Sequence, residues 1–143
     1  MHGWGEVLVN SRAVAPYNLR MRFTVFKETD FAAAHFLRDY HGSCEQLHGH
    51  NYRLRVYVGA DELDSAGMVV DFVQLKAAMM EVVKRFDHHN INEVPPFDTM
   101  NTTAEHVARY IAEEVASAID NARVRVTECH LWETDRSCAI YKR

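Results

Sequence analysis

His48 and His50 stand two positions apart where the chain enters residues 52–58, a segment that alternates charged and apolar side chains. In an extended strand residues i and i+2 share a face, so both imidazoles reach toward a single ion. Alone, such a pair is as readily two exposed strand histidines, because a metal site needs three or more ligands. His35 offers the third. It closes the run Phe31-Ala32-Ala33-Ala34-His35, where an adjacent antiparallel strand presents it beside the pair and the alanines leave room. Taken singly, His35 is a core histidine donating to a carbonyl; beside His48 and His50 the three-nitrogen reading overtakes that one. Three neutral imidazoles with no closing cysteine describe an open tetrahedral site, in which zinc keeps one position for water or a substrate oxygen and acts as a Lewis acid. Iron, nickel or copper also suit these ligands.

Cys44 lies four residues before His48. A thiol beside a dication and imidazoles is competent as a base or nucleophile. Asp87-His88-His89 follows the first helical pattern, and a carboxylate next to a histidine orients the ring and stabilises its charged form, as in a proton relay. The alternative there is a helix-end cap. Glu133, before a polar turn, is a solvated turn residue or an acceptor of paired hydrogen bonds from a planar ring bearing adjacent N–H donors. Thr103 is first a helix-start residue. Cys129 and Cys138, in predicted strands without such neighbours, read as inert.

These side chains need elements to hold them. Phe23 and Val25 fall at strand spacing, and Leu54, Val56 and Val58 share one predicted buried face. Residues 39–47 form a loop with Gly42 and Ser43. Residues 68–70 suit a short strand and Asp71 a helix N-cap. Phe72, Leu75, Met79, Val82 and Phe86 then make an apolar stripe. Residues 87–99, with Pro95 and Pro96, form a connection long enough to carry function. Thr102 and Glu105 sit at capping-box spacing, with Val107, Ile111, Val115 and Ile119 behind them. Residues 123–132 and 137–141 close the chain as a strand pair around Thr134, Asp135 and Arg136. The order is ββααββ, an α+β fold whose four-stranded antiparallel sheet carries two helices on one face.

Composition bounds the rest. With 16 Lys+Arg against 20 Asp+Glu and 48% apolar residues in 143, the chain is an ordinary globular one with no basic excess for nucleic acid. No run of about 18 apolar residues suits a membrane helix, and no export signal opens the sequence. Three cysteines without a Cys-x-x-Cys pair point to a reducing compartment, the cytoplasm. Residues 1–20 read as a weakly attached N-terminal extension, and 21–143 as a single catalytic domain.

Residues 31–35, Cys44-Glu45-Gln46-Leu47-His48-Gly49-His50-Asn51-Tyr52, residues 67–76, Asp87-His88-His89-Asn90-Ile91-Asn92, residues 103–111 and Trp132-Glu133-Thr134-Asp135 together resemble the 6-pyruvoyl-tetrahydropterin synthase and 6-carboxy-tetrahydropterin synthase family. The resemblance implies the tunnelling fold (T-fold), assembled as a homohexamer of two stacked trimers with active sites at subunit interfaces. It implies one Zn2+ per subunit on His35, His48 and His50, Cys44 as catalytic base, Asp87 and His88 as its relay, and Glu133 with Thr103 in the pterin pocket. The Cys44 to His48 spacing and Val70-Asp71-Phe72 are more similar to the bacterial 6-carboxy branch. Its members are lyases that convert 7,8-dihydroneopterin triphosphate to 6-carboxy-5,6,7,8-tetrahydropterin, releasing acetaldehyde and triphosphate, on the way to queuosine and related 7-deazapurines. Glu45 and Gln46 stand where the family usually has Gly-Arg, and a glutamate beside the cysteine resembles a subgroup that cleaves dihydroneopterin side chains. The alternatives are thus 6-pyruvoyl-tetrahydropterin synthesis, by triphosphate elimination, and side-chain cleavage. From a different class come a zinc hydrolase and a non-catalytic pterin binder.

Overall fold

The computed structural model describes residues 21–143; the expectation for residues 1–20 lies outside them. β1 (Phe23–His35) and β2 (His48–Ala60) are joined through a short 3-10 turn, Ser43–Glu45. α1 (Phe72–Val83), a second 3-10 turn (Ile91–Glu93) and α2 (Ala104–Ile119) follow, and β3 (Val124–Thr134) and β4 (Ser137–Lys142) close the chain. The sheet is antiparallel in the order β1-β2-β3-β4. The ββααββ order and the α+β class are as the sequence predicts.

One face of the sheet makes the core. Leu54, Val56, Val58, Cys129 and Leu131 are buried with Leu75, Met79, Val82 and Val83 of α1 and Val107, Ile111 and Val115 of α2. A side chain of this size, once buried, contributes about 1.5–3 kcal/mol, so the alternation of β2 and the stripes of the helices suffice to close the two layers. The same alternation continues upward along β1 and β2. Phe31, Ala33 and His35 lie on the core side of β1, opposite Tyr52, His50 and His48 of β2 in register. The sheet face that is apolar in the middle thus becomes imidazole-lined at one end.

Several local expectations are corrected. Residues 68–70 form no strand: the Met68 and Val69 carbonyls accept from the Arg123 guanidinium instead of a ladder partner. Asp71 does cap α1, accepting from the Val73 N–H at 2.7 Å. Phe72, however, is half exposed rather than part of the buried stripe, and lies under the Lys27 ammonium at 5.7 Å. Phe86 is fully buried but stands beyond the end of α1. The N-cap of α2 is Thr103, not Thr102. β3 runs on to Thr134, which leaves Asp135 and Arg136 as the turn.

Candidate active site

His35 and His48 are paired residues across β1 and β2, and His50 sits two positions further along the same face. Their ring centroids are 4.5, 4.9 and 5.1 Å apart. The nitrogens they can offer an ion all lie within 4.8 Å of one another, close enough to converge on a single ion. Two of the rings have one nitrogen occupied. His35 Nδ1–H donates to the Thr102 carbonyl at 2.9 Å, and His48 Nδ1–H to the Gln46 carbonyl at 2.8 Å. A carbonyl only accepts, so both rings must be protonated on Nδ1 and present a lone pair on Nε2.

His35 Nε2 is buried and has no hydrogen-bond partner. A buried polar atom left unpaired is costly, and an ion held by the three nitrogens would relieve that cost. Burial pushes His35 and His50 below their ordinary imidazole value, with the nearby rings adding to the effect and Glu133 opposing it. Neutral rings are the form that binds metal. The donor set therefore fits a metal ion with an open position.

The three histidines line one wall of a cavity of about 470 Å3 whose other walls include Cys44, Thr103, Glu133 and Cys138. Cys44 reaches it from the 3-10 turn Ser43–Glu45, which is anchored where its carbonyl accepts from the Leu37 N–H at 2.8 Å. Thr103 caps α2 by accepting from the His106 N–H at 3.3 Å, and the cap faces the cavity. Glu133 is not a solvated turn residue: it belongs to β3, and its Oε1 stands 3.7 Å from His35 Nε2.

Asp87 and His88 lie elsewhere. Asp87 Oδ1 accepts from the Ala32 N–H at 3.0 Å, and the His88 N–H donates to the Ala32 carbonyl at 2.6 Å. The pair, 3.8 Å apart from carboxylate to ring, is held against the outer edge of β1 with His88 in the left-handed region at φ 60°. α1 ends at Val83, five residues before His88, so no helix terminus supports the ring. His88 opens onto a second cavity of about 480 Å3, bounded by residues 32–34 and 49–51; of the three converging imidazoles only His50 borders both.

Two features escaped the sequence reading. Tyr52 is fully buried beneath the histidines, stacked on Phe31 at 4.9 Å and edge-on to His50 at 5.3 Å. Its hydroxyl has no partner, and burial with the Glu133 charge beyond it pushes its ionisation up. Its place two residues after His50 was the signal that marked its face. Cys138 was set aside as inert, yet it is exposed and borders the Cys44 cavity. Cys129 is buried, with its thiol pushed up to about 12 by burial.

Comparison with known proteins fits this geometry. The family model described as 6-pyruvoyl tetrahydropterin synthase matches residues 24–143. The 6-carboxy-5,6,7,8-tetrahydropterin synthase of Synechocystis sp. is 38% identical over 99 residues, covering 66% of this chain and 75% of that protein. The dihydroneopterin monophosphate aldolase of Pyrococcus furiosus is 32% identical over 113 residues, covering 79% and 91%. The solved structure of Caenorhabditis elegans 6-pyruvoyl tetrahydropterin synthase superposes with a TM-score of 0.76 at 31% identity, covering 85% of this chain and 95% of that one. Among the described residues no helix is long and apolar enough to cross a membrane.

Proposed function

The chain belongs to the 6-pyruvoyl tetrahydropterin synthase family, and from that premise we propose that it is a zinc-dependent lyase that, with one water, converts 7,8-dihydroneopterin triphosphate to 6-carboxy-5,6,7,8-tetrahydropterin, acetaldehyde and triphosphate. The observation that carries the reading is the meeting of three imidazoles, a thiol and a carboxylate on the walls of one cavity. The likeness to the Synechocystis 6-carboxy enzyme supports the product, and with it a place in queuosine or related 7-deazapurine synthesis. The three free thiols suit a reducing cytoplasm.

His35, His48 and His50 would hold the Zn2+, whose role when bound is to polarise substrate side-chain oxygens. The Glu133 carboxylate accepts two N–H bonds from the pterin ring and fixes its orientation, with Thr103 at the pocket rim. Cys44 takes the proton from the side-chain carbon facing it. His88, oriented by Asp87, relays that proton. In one copy of the chain the relay and Cys44 border different cavities, so the reading brings in a neighbouring copy. β1 and β4 are the sheet edges, and unpaired edges are templates for association. A homohexamer of two trimers, with each site at an interface, meets both needs, and residues 21–143 act in it as one catalytic domain.

A second reading, aldol cleavage of a dihydroneopterin side chain, is favoured by the likeness to the Pyrococcus aldolase. Incubation with dihydroneopterin triphosphate followed by mass analysis separates them. Acetaldehyde with a 6-carboxy product is expected. A 6-pyruvoyl product, or glycolaldehyde-type fragments with 6-hydroxymethyl-7,8-dihydropterin, overturns the assignment. Binding without turnover marks a pterin binder. Metal-dependent hydrolysis untouched by Cys44→Ala marks a hydrolase.

A further inference from the structure

We infer that Asn92 and Thr102 are positioning residues for His35, so that the connection between α1 and α2 sets the metal affinity of the site. The inference rests on the reading that His35, His48 and His50 hold zinc, and concerns what keeps one of those rings in place.

The ladder between β1 and β2 stops at His35 paired with His48. Beyond it the backbone of residues 36–38 has lost its strand partner, and its polar groups must be satisfied from elsewhere. Two carboxamides take the partner's place. Asn92 Oδ1 accepts from the Phe36 N–H and Asn92 Nδ2 donates to the Phe36 carbonyl, both at 2.9 Å. Two residues on, Asn101 does the same for Arg38, at 2.9 and 3.2 Å. The Arg38 guanidinium then donates to the carbonyls of Phe97, Asp98 and Met100 at 2.9–3.2 Å. The connection is thereby bolted to the end of β1.

Thr102 ties this brace to the imidazole. Its hydroxyl donates to the Phe36 carbonyl at 2.9 Å, one residue past His35, while its own carbonyl accepts His35 Nδ1–H at 2.9 Å. Thr102 and His35 are 0% and 2% exposed and Asn92 is 5% exposed, so water cannot substitute for a lost partner. The three residues form a closed loop of contacts, Phe36 to Thr102 to His35, and Asn92, whose Oδ1 lies 3.4 Å from the Thr102 hydroxyl, grips the same Phe36. The result is one tautomer and one ring orientation, with Nε2 aimed into the site. His48 needs no such device, because the carbonyl that holds it lies two residues away in sequence. The carbonyl that holds His35 lies 67 residues away. His35 is the ligand whose aim depends on the tertiary fold.

The test compares Thr102→Val, which keeps the shape and removes the hydroxyl, with Thr102→Ser, which keeps the hydroxyl. Zinc affinity is read by competition with a chromophoric chelator, and ligand geometry by the visible spectrum of the Co2+-substituted protein. Thr102→Val should bind zinc about 10-fold or more weakly and shift the cobalt bands, Thr102→Ser should stay within about twofold of the wild type, and Asn92→Ala should match or exceed the Val loss. A metal-free Thr102→Val protein that melts like the wild type and keeps its zinc affinity and cobalt spectrum overturns the inference. Should the Val variant fail to fold, imidazole 15N NMR of the metal-free wild type decides: His35 protonated at Nδ1 upholds the brace, and protonation at Nε2 refutes it. A wild type that binds neither zinc nor cobalt overturns the metal reading itself and this inference with it. Wild-type binding with an indifferent Val variant overturns the inference alone.

Discussion

The two cavities that meet at His50 have nearly the same volume, about 470 and 480 Å3, and divide the chemistry unequally. The first holds the thiol of Cys44, the carboxylate of Glu133 and all three converging imidazoles on its walls. The second is lined by residues 32–34 and 49–51 together with His88, His89 and Asn90. The buried His35 of the first is braced by a distant carbonyl, while the His88 ring of the second is 82% exposed. A buried, braced ring keeps a fixed geometry for an ion; an exposed ring acts on whatever is brought to it. Within one copy, the ligands and the proposed base are assembled and the proposed relay is presented outward. The proposed assembly supplies the missing juxtaposition.

The sharpest way to break this division is to empty the first cavity of its proposed base. Cys44→Ala should lower turnover by on the order of 10²–10⁴ while zinc and pterin binding persist, measured by steady-state kinetics beside chelator competition. An undiminished rate removes Cys44 from the chemistry. His88→Ala should lower turnover by about 10², again with zinc retained, because the ring borders the second cavity and is not a ligand. If the relay reaches Cys44 from a neighbouring copy, co-refolding Cys44→Ala with His88→Ala chains regenerates intact pairs at about one site in four by random assembly. Mixed oligomers that remain inactive would place the relay within one copy or remove it. A smaller effect is expected at Glu133. Glu133→Gln keeps the shape but loses the charge, and should raise KM about 10-fold with little change in zinc affinity; an unaltered KM denies it the pterin ring.

The same division explains what was legible in the sequence. The i, i+2 spacing of His48 and His50, the alternation through Val58 and the Asp71 cap are local patterns, and strand and helix geometry alone carries them into space. The pairing of His35 with His48 follows once β1 and β2 make a hairpin. The second cavity was not legible, because nothing in Asp87-His88 says that its backbone closes on Ala32, 55 residues earlier. The brace was hidden for a related reason. Thr102 and Thr103 are chemically alike as cap candidates, and only the tertiary position of Phe36 decides that one hydroxyl donates inward while the other caps α2. Residues 68–70 have strand composition, but Arg123, just before β3, occupies the carbonyls of Met68 and Val69. Glu133 read as a turn residue because the register shift between Trp132 and Thr134 that turns the end of β3 leaves no local trace.

The smallest effect distinguishes the cavities by pH. In the metal-free protein His35 and His50 have their protonation held below the ordinary value of 6.5, chiefly by burial. A base whose folded pKa lies below its unfolded one takes up a proton more readily in the unfolded chain. The contribution is complete above pH 6.5 and is lost as pH falls from there toward the lowered folded values. Thermal unfolding of the metal-free protein between pH 8 and pH 5.5 should therefore show Tm falling below about pH 6.5. His35→Gln should shallow that decline by removing one of the two protons, because His35 is the more deeply buried ring. A decline that His35→Gln leaves unchanged would show that burial does not govern the protonation of this ring, and would take from the first cavity the fixed chemistry assigned to it.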